Sequence, residues 1–389
     1  MSISTWQKPA LRRDEEEARA RKVSWLELFY DLVFVVVIAQ LSSGLAADVG
    51  WHGLFYFALP FVPAWWLWIG GTMYTERFET EDVGHRLITF LQMMPVAVMA
   101  VVLHHGIEGG SGGFAVTYAA GRLLIIGIWL RGGLHNPQMR PVTNRYALGF
   151  SISVLIFLGS LLVPAPARYA LWCLALVIDL LTPLFTLQQQ KRLPRFSTSR
   201  LPERLGLFTI IVLGETIVGV VTGLAEVQHL TLEVAAVGLL GMTMAFAVWW
   251  LYFDGVSHQP PRAGLRWSLA RNYLHLPLVL GITAIGAAVL QVVEHVELHL
   301  ASEVRWLLCG ATATVLVSLG LLMLVVDSGG AIHRLRPVHT GMVFAAAVVA
   351  VVLAVVGGGL GAVPLLACLL GVLVALVVGD VALRVRETE

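Results

Sequence analysis

SWLELFYDLVFVVVIAQLSSGL, running from Ser24 to Leu45, decides the fold. Apart from Glu27 and Asp31 it carries no charge over 22 residues. A helix needs roughly 20 mostly apolar residues to cross a bilayer. In hydrocarbon every backbone N–H and C=O must find a partner inside the segment, which a helix provides. Upstream, residues 1–23 are polar, with Asp14-Glu15-Glu16-Glu17 set among arginines. They lack the short basic start and apolar core of a cleavable leader and read as a cytosolic tail, helical or disordered.

Working downstream, eleven further apolar stretches follow. With the first, at 27–47, the expected spans are 52–74, 86–105, 114–130, 146–163, 168–187, 204–225, 231–251, 272–293, 304–326, 338–358 and 362–383. Gly109 to Gly113, Pro164 to Pro166, Pro260-Pro261 and Gly357 to Gly359 punctuate the gaps. The composition agrees. Of 389 residues, 57% are hydrophobic and 13% charged, where a soluble domain carries about 25% charged residues. Too little charge is present to coat a water-facing surface. That excludes a soluble enzyme, a disordered chain and a nucleic-acid-binding module.

Basic residues orient the map. Twenty-three of the 26 fall in the tail or in alternate loops, and Arg168 and Arg305 fall on the opposite side. Arg122 lies inside the fourth span. Both termini are therefore expected in the cytosol, in a multi-pass protein of the inner (plasma) membrane. Lys8, Lys22 and Lys191 all sit in polar segments, so no lysine is available for a retinal Schiff base. Cys173, Cys309 and Cys368 lie in apolar stretches without metal spacing and read as small buried residues.

The first and seventh spans superpose at constant offset. Leu26, Leu28, Phe29, Val33, Ile38, Gly44 and Leu45 meet Leu205, Leu207, Phe208, Val212, Ile217, Gly223 and Leu224. Trp65-Trp66 matches Trp249-Trp250, Pro95 matches Pro277, and Asp179 matches Asp380 in order along the chain. The expected organisation is an all-α membrane protein of about 12 helices in two parallel six-helix repeats. Residues 24–190 and 203–389 form the repeats, joined by a basic cytosolic linker at 191–202. Repeats of even helix number share orientation, and a substrate path commonly runs between them.

Intramembrane polar residues are costly and mark function by default. Glu27 and Asp31 are four apart on one face of the first helix. Ser24-Trp25-Leu26-Glu27 also reads as a capping box, which accounts for Glu27 without a ligand. Asp31 lies a turn deeper, where capping does not reach. Glu215 falls near the middle of the seventh span, and His275 early in the ninth. Arg122 needs a counter-ion, with Asp31, Glu215 and Asp179 all open candidates. The substrate- or ion-binding candidates are thus Asp31, Glu27, Arg122, Glu215 and His275. His295 and His299 have ligand-like spacing but read as solvated, so neither metal nor cofactor is expected. Gln40 and Gln92 are candidates for hydrogen bonds between helices, and the tryptophans for an interfacial belt or packing. Gly206, Gly214, Gly219 and Gly223 mark a close-packing face of the seventh helix.

SWLELFYDLVFVVVIAQL (Ser24–Leu41) resembles the N-terminal signature of the bacterial low temperature requirement protein A (LtrA) family. ERLGLFTIIVLGETIVGV (Glu203–Val220) and YLHLPLVLGI (Tyr273–Ile282) resemble later blocks of that family, in the same order. The resemblance implies a bacterial integral membrane protein connected with growth in the cold; it implies no particular chemistry. Phe29-Tyr30-Asp31 also resembles the Phe-Ser-Asp signature of the lysosomal and bacterial potassium-channel family, with Tyr30 in place of the serine. The second repeat has Phe208-Thr209-Ile210 and lacks the acid, so only a repeat architecture and an interior Asp31 carry over.

The expected function is binding or transport of a small solute or ion, coupled to protons or cations. One alternative is a membrane-embedded enzyme or cofactor-binding protein acting on a lipid-soluble substrate, with Asp31, Glu215 and His275 as its acid–base or metal groups. Another is a structural or regulatory protein needed in the cold. The expected partners are the lipid bilayer, the solute or ion and copies of the chain in an oligomer, with no nucleic acid.

Overall fold

The computed structural model describes residues 7–11, 23–79, 82–193, 200–227, 229–295, 300–327 and 336–388. Among these, twelve helices are long and apolar enough to cross a membrane. They are α1 (Trp25–Ala47), α2 (Trp51–Arg77), α3 (Val83–Leu103), α4 (Gly106–His135), α5 (Arg140–Gly159) and α6 (Ala167–Leu181), whose span runs on to Gln190. After a single turn at Leu187–Gln190 come α7 (Arg200–Glu226), α8 (Leu232–Tyr252), α9 (Leu265–Glu294), α10 (Ser302–Val325), α11 (Arg336–Val356) and α12 (Ala362–Thr388). Pro60 and Pro63 lie inside α2, Pro95 inside α3 and Pro277 inside α9. A proline within a spanning helix is tolerated because neighbouring groups satisfy the carbonyl it releases.

Several helices outrun their apolar spans. α4 begins at Gly106 and takes in the glycine run that reads as a loop. α9 starts at Leu265, and α7 at Arg200. These extensions carry Arg200, Arg204 and Arg271 on helices instead of in loops.

The chain divides into two compact units. The first comprises residues 1–41, 56–204 and 264–266; the second comprises 42–55, 205–263 and 267–389. Within the first, α4 packs on α3 and α5, and α5 on α6. Phe114, Tyr118, Phe157 and Trp172 form its aromatic core, and the Trp172 indole donates to Ser160 Oγ at 2.8 Å. In the tail, β1 (Ala10–Leu11) pairs antiparallel with β2 (Phe78–Glu79). Asn136 and Arg131 each donate to the backbone of this strap, at Pro9 and Gln7, both at 2.7 Å. The expectation of a helical or disordered tail is corrected for residues 7–11. The donors Asn136 and Arg131 and the edge at Phe78–Glu79 offer the backbone of these residues partners that sequence did not show.

Within the second unit, α10 packs on α11, α11 on α12, and α8 on α12. Its core runs along α9 and α10, through Leu278, Ile282, Val289, Leu308, Leu316 and Leu322. Two sequence expectations change. Cys309 is buried, but Cys173 and Cys368 are exposed. An apolar helix surface can face lipid, so an apolar context does not imply burial. Gly206 and Gly223 do lie against neighbouring side chains, whereas Gly214 and Gly219 face open space.

Candidate functional site

The site begins at the first turn of α1. Ser24 Oγ accepts from the Glu27 backbone N–H at 3.3 Å, and Glu27 Oε2 accepts from the Ser24 N–H at 2.9 Å. This is the reciprocal capping box, and it fixes the Glu27 side chain at the helix start. Its other oxygen, Oε1, pairs with the Arg200 guanidinium. Capping and ion pairing therefore use different oxygens of one carboxylate.

One turn deeper, Asp31 is fully buried. Its Oδ1 accepts from Arg204 Nη2 at 2.5 Å and from the Trp68 indole at 2.7 Å. Arg204 Nη1 donates to Thr75 Oγ1 at 3.0 Å and lies 3.8 Å from Glu27 Oε1. The match follows from helix geometry. Four residues rise about 6 Å along a helix, so the acids at 27 and 31 present the same spacing as the arginines at 200 and 204. The pairing 27 with 200 and 31 with 204 also makes the first turns of α1 and α7 run the same way. Two acids and two guanidiniums cancel, which removes the repulsion that two carboxylates one turn apart would otherwise feel.

Beside this quartet lies a small cleft. Glu27, Tyr30, Tyr74, Thr75, Gln92 and Arg204 line it with further residues of α1 to α4. Tyr74 is 2% exposed and its hydroxyl has no hydrogen-bond partner. Gly71 forms part of the wall, where a β-carbon would collide with the Tyr30 hydroxyl and stand 3.1 Å from Gln92 Oε1.

Arg122 stands apart from the cleft lining. Its Nη2 lies 3.2 Å from Asp179 Oδ1, with both side chains fully buried. Tyr118 donates to the other Asp179 oxygen. The guanidinium sits 3.8 Å from the centre of the Phe150 ring and also donates to the Trp66 carbonyl at 3.3 Å. Of the three candidate counter-ions, the fold supplies Asp179. Gln40 bonds His104 at 3.0 Å, linking α1 to α3.

Glu215 and His275 belong to the second unit. Glu215 is half-buried, with no hydrogen-bond or ion-pair partner among the described residues. His275 is held at both ring nitrogens: Nδ1 meets the Arg271 carbonyl at 2.7 Å and Nε2 the Tyr252 hydroxyl at 3.0 Å. A carbonyl only accepts, so Nδ1 carries the proton and donates; Nε2 is engaged by Tyr252. Arg271 is buried against the end of α8. It donates to the carbonyls of Gln259 at 2.6 Å, Ser257 at 3.2 Å and Val256 at 3.4 Å. The C-terminal carbonyls of a helix carry partial negative charge and suit a cation. Asp380 meets His339 at 3.4 Å; His299 lies outside the described residues. No group of three or more metal-ligating residues occurs among the described residues.

Sequence reasoning missed Arg200, Arg204, Trp68 and Tyr74 as site residues. The arginines were read only as cytosolic charge and Trp68 as packing or belt. The readable signal was the matched four-residue spacing of acids and arginines at the starts of two like segments.

Twelve spanning helices with buried, paired charges define a polytopic α-helical membrane protein. Residues 22–381 match the family of bacterial low temperature requirement A protein (LtrA). The chain belongs to that family. It is also 32% identical over 293 residues to an uncharacterized protein of Rhizobium meliloti (strain 1021), covering 70% of each chain.

Proposed function

We propose that this chain binds and moves a small solute or ion across the bacterial inner membrane, coupled to protons or cations. The observation that carries the reading is the buried quartet of Glu27, Asp31, Arg200 and Arg204, of which Glu27 and Arg204 line a cleft. Burying four charges is expensive, and apolar residues of like volume would stabilise the fold as well or better. Their retention at the edge of a cleft is explained by exchange: when a cation or proton takes the place of a guanidinium at a carboxylate, the arginine is released.

The reading includes two parallel six-helix repeats, 24–190 and 203–389, with both termini cytosolic. The like direction of the first turns of α1 and α7 supports it, as does the pairing of α4 with α5 and α10 with α11. Asp31 and Glu27 are the exchanging acids. Arg122 holds Asp179 and stiffens the α4–α6 packing. Glu215 and His275 are candidate ligand groups within the second unit. The engagement of both His275 nitrogens weighs against the enzymatic alternative, in which His275 would hold a metal.

Reconstitution into liposomes tests the proposal. Flux of the transported ion is expected to fall to the protein-free background in Asp31→Asn and to drop markedly in Glu27→Gln. Unchanged flux in both, with equal amounts of folded protein, would remove it.

A further inference from the structure

Resting on the transport reading, the geometry points to the nature of the ligand: we infer that the Arg204 guanidinium is a tethered occupant of a cation site, and that a free monovalent cation of guanidinium or ammonium type competes for it. The surroundings of Arg204 are those of a cation-binding pocket. Asp31 Oδ1 lies at 2.5 Å, Thr75 Oγ1 at 3.0 Å and Glu27 Oε1 at 3.8 Å. Two aromatic faces complete the shell, with the guanidinium carbon 5.8 Å from the Trp68 ring centre and 6.0 Å from that of Tyr30. Rings at about 6 Å attract cations through their quadrupole and favour weakly hydrated ones over strongly hydrated ones.

The chain's own guanidinium does not satisfy this shell. Among the described residues, Asp31 Oδ2 is buried without a hydrogen-bond partner, and so is Arg204 Nε. The Tyr74 hydroxyl, on the cleft wall, is likewise buried and without a hydrogen-bond partner among them. Unmet buried polar groups are costly and unusual. An incoming cation with several N–H donors that displaces Arg204, which lines the cleft, would meet the free carboxylate oxygen of Asp31. Arg204 would then swing toward Glu27, already 3.8 Å away. A carboxylate in this shell excludes an anionic ligand unless Arg204 stays in place, which separates this site from an anion pocket.

Chemical rescue in purified full-length protein decides the matter. Arg204→Ala empties the site and leaves Asp31 unpaired, so its melting temperature is expected to fall. Guanidinium chloride at millimolar concentration is expected to raise that temperature again by at least about 2 °C, through binding to the folded state alone. Methylammonium should do so less strongly, and sodium chloride at equal ionic strength should not. The Arg204→Ala/Asp31→Asn double variant should show no rescue. If Arg204→Ala does not purify in folded form, Arg204→Gln takes its place with the same salts. Equal response of the folded variant to all salts, or rescue that persists in the double variant, overturns the inference. Rescue without flux in liposomes would instead remove the transport reading and leave the cation site standing; flux without rescue would do the reverse.

Discussion

Arg122 has no route to water. It relies on Asp179 for charge, on the Trp66 carbonyl for a hydrogen bond and on Phe150 for its face. Removing one partner leaves the other charged and alone in a low dielectric. Arg122→Met and Asp179→Asn are each expected to cost about 3–5 kcal/mol in unfolding from mixed micelles. The double variant should cost clearly less than the sum, and additive losses would contradict direct pairing. His275 behaves differently, because its partners are neutral. Tyr252→Phe strands the Nε2 nitrogen and is expected to cost about 1–3 kcal/mol by the same measurement. At Gly71 the constraint is space. Gly71→Ala is expected to displace Tyr30 and Gln92 into the cleft, and so to lower flux at nearly unchanged helicity by circular dichroism.

At the scale of elements, the start of α1 combines two jobs in Glu27. Ser24→Ala removes only the cap and is expected to cost about 1 kcal/mol, leaving the Arg200 pairing intact. The α9–α10 contact depends on a small residue. A β-carbon at Gly281 would stand 2.9 Å from a Val315 methyl and 3.2 Å from the Ala311 carbonyl oxygen. Helices in lipid gain stability from such close approach, since no hydrophobic force drives them together. Gly281→Leu is expected to destabilise the second unit by about 1–3 kcal/mol, measured as lost resistance to proteolysis or heat. These elements also show the limit of pattern reading. The run Gly109 to Gly113 reads as a break but lies within α4. The tail segment Ala10–Leu11 is too short to announce a strand, and only the edge at Phe78–Glu79 makes it one.

At the scale of the whole molecule, the asymmetry of basic residues carries a testable orientation. A fluorescent protein that matures only in the cytosol is expected to light up when fused at either terminus, with alkaline phosphatase fusions there inactive. The reverse pattern at one terminus would mean a miscounted span. The number of spans and the family are legible in the sequence, because lipid imposes one rule on every residue of a crossing segment: about 20 apolar positions with the backbone satisfied internally. Asp31, Glu27 and Arg122 are legible as well, since charge at depth is conspicuous. Their partners are not. Arg122 had three candidate acids, all distant in sequence, and Asp31 found an arginine 173 positions away. Ion pairing depends on a few ångströms between side chains, and hydropathy holds no information at that length. The sequence alone therefore determined that the chain spans the membrane, and which buried charges need partners. The tertiary structure alone decided which partner each received, because helix packing brings residues together by face and register and not by their order along the chain.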